Sequence, residues 1–126
     1  MRNPIDAATF WQASLEIYQR PGMQQQLIAR QDQHGDNVNV ALLELYLAEQ
    51  GQPLDTNEKQ VLQALIDAFS TEHTQLVRQL RRQLSRSEAL TEVAGKALKQ
   101  ALLDAELILE QQEQALLITH LQRLRA

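Results

Sequence analysis

The chain has 126 residues, no cysteine and a formal net charge of −4, a size that suits one domain with a real core and excludes disulfide frameworks, thiol nucleophiles and cysteine-held zinc. The negative balance excludes a general polyanion binder, so no DNA partner is expected and any RNA contact must be local. Residues Met1 to Asp6 carry no apolar run of signal-peptide length, and no stretch approaches the roughly 20 apolar residues of a membrane span; the expectation is a cytoplasmic protein with no membrane partner.

Helical punctuation is clear along the chain and strand signals are nearly absent. Asn3 and Pro4 read as an N-cap with proline at the first helical position, and Phe10, Trp11, Ser14, Leu15 and Tyr18 follow on one face. Pro21 and Gly22 end that helix near Arg20. A second helix is expected from about Met23 to Gln33, with Met23, Leu27 and Ile28 inward and Gly35 as a left-handed C-terminal cap. Asn37 caps a third helix, Val38 to Gln50, which is apolar on most faces and is the element expected to be most fully buried. Gly51 closes it.

Asp55 and Glu58 have the spacing of a capping box for a fourth helix that turns Val61, Leu62, Leu65, Ile66 and Phe69 inward. The apolar stripe weakens across Ser70 to Thr74, where a break is expected before Leu76, Val77, Leu80 and Leu84 resume it. Ser85 and Glu88 suggest a second capping box, opening one long helix from Arg86 to about Leu124; unbroken, it would extend about 58 Å. Within it Leu98, Leu102, Ala105 and Leu109 have coiled-coil spacing, interrupted at Gln112 before Leu116. The pattern therefore predicts an all-α bundle of five to six helices with a long C-terminal helix. It divides into a compact three-helix part over residues 1–50 and a long helical hairpin over 55–124.

Nucleotide-binding glycine loops, the Gly-x-Ser-x-Gly elbow and His-Glu-x-x-His are all missing, and none of His34, His73 and His120 follows a glutamate at the spacing of a di-iron bundle. No cofactor and no metal are expected. Asp32, His34, Asn37 and Asn39 gather polar side chains around Gly35. They could bind a polar ligand, but a helix-to-helix corner ordinarily uses these residue types as caps. Phe10, Trp11 and Tyr18 read as core anchors in preference to a ligand groove.

Charge is unevenly distributed: residues 1–75 hold four Lys/Arg against ten Asp/Glu, and residues 76–126 hold eight against six. Arg78, Arg82 and Arg86 fall on one helical stripe with Arg81 beside it, a surface for RNA phosphates or an acidic protein. The competing reading pairs these arginines internally with Glu88, Glu92, Glu106, Glu110 and Glu113 of an antiparallel last helix.

The run Phe10-Trp11-x-x-Ser14-Leu15-x-x-Tyr18-x-Arg20-Pro21-Gly22, followed by Leu27, Gln31-Asp32-x-His34-Gly35 and Val38-Asn39, resembles a proteobacterial family of short helical proteins of unknown function, over about residues 10–50. The Arg78-x-Leu80-Arg81-Arg82 stretch is more loosely similar. The resemblance implies a helical fold and a bacterial cytoplasmic setting, and brings no activity or catalytic residue with it. Asn37 stands where that pattern has aspartate, which weakens an acidic metal ligand there and leaves a helix cap intact.

Three readings of function follow. The favoured one is a non-enzymatic interaction or adaptor module that meets a protein partner, or a second copy of itself, through the long C-terminal helix; it requires Leu107, Leu116, Leu117, Leu121 and Leu124 to form an uncovered apolar patch. The second is an RNA- or ribosome-associated factor using Arg78, Arg81, Arg82 and Arg86. The third is a small ligand-binding protein or enzyme centred on Asp32, His34 and Asn39, which needs a further polar group converging on His34.

Overall fold

The computed structural model describes residues 5–126, and the Asn3–Pro4 helix start lies outside them. The elements are α1 (Ala7–Tyr18), α2 (Met23–His34), α3 (Val38–Glu49), α4 (Thr56–Phe69), a π turn (Ser70–Thr74), α5 (Gln75–Ser85) and α6 (Glu92–Leu124). The protein is all-α with a long C-terminal helix.

Most helix ends are set by the residues that the sequence marks. Helix α1 is an exception: its cap is Asp6, not among the caps expected, whose carboxylate accepts from the Thr9 amide at 2.8 Å. Gly35 ends α2 at φ +68°, a conformation that a side chain disfavours. Asn37 Oδ1 accepts from the amides of Asn39 and Val40 and starts α3. Asp55 and Glu58 form the full reciprocal capping box of α4.

Two expectations in the second half are corrected. No break occurs at Ser70 to Thr74. The chain stays helical through a π turn in which the Gln75 amide donates to the Ser70 carbonyl, five residues back. The reason lies in the spacing of the buried positions Leu62, Ile66, Ser70 and Thr74. Each step of four advances about 40° beyond a full α-helical turn, and the wider π turn takes up that drift so that Thr74 still faces inward. The last helix, too, begins later than Arg86. Ser85 spends its hydroxyl on the Arg82 carbonyl at 2.7 Å, so it finishes α5 instead of capping α6. Thr91 is the cap, accepting from the Ala94 amide at 3.1 Å. The resulting α6 has 33 residues, a length of about 50 Å.

Helices α4, the π turn and α5 run antiparallel to α6. Contacts pair Glu58 with Arg125, Thr74 with Glu113 and Arg78 with Glu110, so one number rises as the other falls. Helices α1 and α3 lie against the proximal half of this hairpin, and α2 packs on α1 and α3 alone. The core sits where they meet, built from Phe10, Ile17, Leu27, Val40, Leu43, Leu47, Leu62, Ile66, Leu117 and Leu121. Helix α3 is buried on most of its circumference, as its composition predicts. Phe10 alone of the three α1 aromatics is fully buried; Trp11 is half-buried and Tyr18 is exposed, as is Ile28 on α2. These last two were expected inside. Helices of 12 residues joined by tight turns cover only a narrow stripe of each other, and Tyr18 and Ile28 fall outside it.

Candidate functional site

The polar corner divides into two unlike halves. Asp32 and His34 are exposed at the end of α2. Asn37 and Asn39 turn the other way, into the protein. Asn37 Nδ2 and Asn39 Nδ2 both donate to Glu113 Oε1 at 3.2 Å, and Asn39 Nδ2 also reaches the Glu110 carbonyl at 3.3 Å. Thr74 Oγ1, delivered by the π turn, donates to Glu113 Oε2 at 2.6 Å. Gln114 Nε2 then bridges Asn39 Oδ1 and Ser14 Oγ at 3.0 Å each. One hydrogen-bonded centre thus ties α1, α3, the π turn and α6. Glu113 is 2% exposed and its carboxylate is held by neutral donors, with no Lys or Arg among the described residues within ion-pair distance. No sequence motif marks this centre, because its members lie up to a hundred residues apart. The only signal was the polar interruption of two apolar stripes, at Ser70–Thr74 and at Glu113–Gln114.

The arginine stripe also divides. Arg81 Nε donates to Glu106 Oε2 at 2.6 Å, and Arg78 reaches Glu106 Oε1 and Glu110 Oε1 at 3.2 Å each. Burial alone would raise the Glu106 carboxyl, but the hydrogen bonds from Arg81 and Arg78 outweigh it and hold the group below the ordinary range. Burial pushes Glu110 up, because Arg78 offsets only part of its desolvation and Glu113 and Glu106 repel it. Among the described residues, Arg82 and Arg86 are exposed without a carboxylate in reach.

Of the leucines assigned to an interaction face, Leu117 and Leu121 are core residues and cannot belong to an exposed surface of the folded chain. They fill the space against α4 and α1 that the expected straight, uncovered helix would have left open. Leu116 is half-buried, and Leu107 and Leu124 are exposed. Further exposed apolar residues lie on the distal half of the hairpin. Helix α5 packs on α6 and the π turn only and buries none of its residues completely. Leu76 and Leu80 on α5 are 56% and 45% exposed, and Leu98 on α6 is 37% exposed.

The flank on which these residues lie follows from spacing. Arg78 bonds Glu110, whose carbonyl takes Asn39 of α3, so Arg78 lies on the α3 side. Leu76 and Leu80 are each two residues from Arg78 and point about 160° away from it. On α6, Gln114 meets α1 and α3, while Gln112 and Leu116, two residues to either side, point about 160° away. Leu76 and Leu80 on one helix, and Leu98, Leu102, Ala105, Leu109, Gln112 and Leu116 on the other, therefore share the hairpin flank that α1 and α3 leave bare.

A cleft of about 320 Å³ opens at the hairpin tip, lined by Arg81, Leu84, Leu90, Gly95, Lys99 and Leu102 among others, and none of the four corner residues reaches it. No three His, Asp or Glu side chains among the described residues converge in a way that could hold a metal ion. No helix of the described residues is long and apolar enough to cross a membrane.

Fold and site together define an all-helical protein in which a buried polar junction fixes a three-helix layer to one flank of a long hairpin. The chain belongs to the DUF2390 family of proteins of unknown function, whose model matches residues 9–117. No curated protein and no solved structure matches it significantly.

Proposed function

We propose that this protein is a non-enzymatic interaction module, and that it meets a protein partner through the bare apolar flank of the α5–α6 hairpin. The observation that carries this reading is α5 itself. It is an amphipathic helix with Leu76 and Leu80 about half exposed, and among the described residues it packs on α6 and the π turn alone. Apolar surface arranged in a continuous stripe on a rigid element is what partner helices recognise. The RNA reading has less support, because Arg78 and Arg81 already neutralise Glu106 and Glu110 and only Arg82 and Arg86 are left for phosphates. A site built on Asp32, His34 and Asn39 has less support still, since Asn39 faces the core and the other two face solvent.

A photo-crosslinking amino acid at position 80 tests the reading in cells. A discrete protein adduct is expected there, its partner identified by mass spectrometry and its purified complex lost on Leu80→Glu. The same probe at Gln111, exposed and pointing about 100° or more away from the neighbouring seam positions, should give none. Absence of an adduct at position 80, or equal adducts at both positions, overturns it.

A further inference from the structure

We infer that the occupant of this flank is a second copy of the same chain, the two hairpins closing face to face into a four-helix bundle. This rests on the reading of the hairpin flank as a docking surface and adds the identity of the partner.

Three features of the flank point to self-association. The first is its seam. Leu98, Leu102, Ala105, Leu109, Gln112 and Leu116 alternate at spacings of four and three, the repeat that keeps one face of a helix against a partner helix. Leu98 and Gln112 are exposed, and Leu102, Ala105, Leu109 and Leu116 are half-buried, so each keeps surface to offer a partner. Antiparallel hairpins that pair through such seams make up four-helix bundles.

The second is charge. The chain carries a net −4, so two copies repel each other over most of their surface. No Asp, Glu, Lys or Arg occurs among the six seam positions or at Leu76 and Leu80. A partner selected by charge complementarity would leave ionic residues on this flank, whereas an isologous contact sets the face against an identical face and favours one with no charge to repel itself. The polar seam residue has the chemistry that such symmetry requires. An amide both donates and accepts, so with the two-fold axis beside it Gln112 can be satisfied by Gln112 of a second copy, and a single polar residue in an apolar seam fixes register.

The third is size. The seam from Leu98 to Leu116 is about 27 Å long and the paired helices are about 20 Å wide, roughly 540 Å² per copy or about 1,100 Å² for the pair, just above the area of about 1,000 Å² that a specific interface requires.

Sedimentation velocity of the full chain from about 1 to 200 µM, a range that brackets micromolar association, tests the inference against the monomer mass of 14.4 kDa. The expected result is a species of twice that mass whose population grows with concentration. Leu80→Glu and Leu98→Glu should each weaken it about 100-fold or more, because twofold symmetry buries every introduced charge twice. Gln111→Glu, exposed and pointing about 100° or more away from the neighbouring seam positions, should leave it intact. Helical circular dichroism distinguishes lost association from lost folding; if either seam variant unfolds, Leu76→Gln replaces it with the same expected weakening. A wild-type mass of one chain at every concentration overturns the inference, as does a dimer that all three seam variants leave unchanged. The two proposals fail separately: a monomer crosslinked at position 80 to a different protein refutes self-association and leaves the interaction reading standing.

Discussion

The bond between Thr74 and Glu113 offers the sharpest measurement of what the π turn does. Thr74→Val keeps the side-chain shape and removes the hydroxyl that donates to Glu113 Oε2 at 2.6 Å. Both residues are almost completely buried, so water cannot replace the lost donor. A hydrogen bond to a charged group contributes about 1.5–3 kcal/mol, and that is the cost expected of Thr74→Val. Glu113→Leu strands the Asn37 and Asn39 amide donors, although Asn39 keeps the Glu110 carbonyl. The partial compensation, together with relief of an unpaired buried charge, gives an expected cost of about 2–4 kcal/mol. With both partners made apolar, the Thr74→Val change should cost little more, so the cycle should close with a coupling of about 1.5–3 kcal/mol. Urea unfolding followed by circular dichroism measures this as a shift of the midpoint by about 1–2 M for each single variant. Additivity within about 0.5 kcal/mol would refute the assignment of Thr74 to this centre, and with it the account of the π turn.

Other outcomes can be checked with the same unfolding assay. Leu117→Ala, which empties a fully buried site in the core, should cost about 2–5 kcal/mol, the range for such cavities. Gly35→Ala places a Cβ at φ +68° and should cost about 1 kcal/mol without altering contacts elsewhere. For pH, the folded Glu106 binds its proton more weakly than the unfolded chain does, so its contribution is present above the unfolded value and is lost as pH falls through the folded one. Glu110 has the opposite sign: its raised value means that the folded form holds the proton more tightly, and stability is gained as pH falls through it. Glu110→Gln should therefore be more stable than the wild type near neutrality and lose that advantage on mild acidification. An advantage that persists unchanged to low pH would contradict the burial argument.

The sequence carried the parts of the fold that local chemistry determines. Asn37, Gly35 and the Asp55–Glu58 pair end their helices where side-chain and backbone preferences say they should. The buried character of α3 follows from a composition with almost no polar flank. Failures came where one local signal had two uses. Ser85 could cap a following helix or bond back within its own, and the fold uses the second option. The polar run Ser70 to Thr74 looked like an interruption of burial, yet Ser70 and Thr74 are themselves buried, Thr74 against a carboxylate thirty-nine residues further on. Leu117 and Leu121 read as a continuation of the exposed helix because periodicity shows that a face is apolar without showing which neighbour covers it.

That ambiguity also explains why the polar centre and the bare flank belong to the same argument. A hairpin with apolar residues on both flanks offers the three-helix layer more than one apolar face. The centre removes the degeneracy. Asn37 and Asn39 from α3, Ser14 from α1 and Thr74 from the π turn find Glu113 and Gln114 only on one flank; docking on the other would leave those buried groups without partners, each at about 1–3 kcal/mol. Polar groups that specify an arrangement more than they stabilise it are known from coiled-coil cores, where one buried amide sets the register. In this protein the same device orients a whole layer, and by doing so it dictates that Leu76, Leu80 and the Leu98 to Leu116 seam remain on the open side. A variant such as Glu113→Leu combined with Gln114→Leu should accordingly do more than lose stability: with the two flanks no longer distinguished, it should broaden amide NMR signals of α1 and α3 through exchange between docking modes, whereas a single sharp set would show that apolar packing alone fixes the layer.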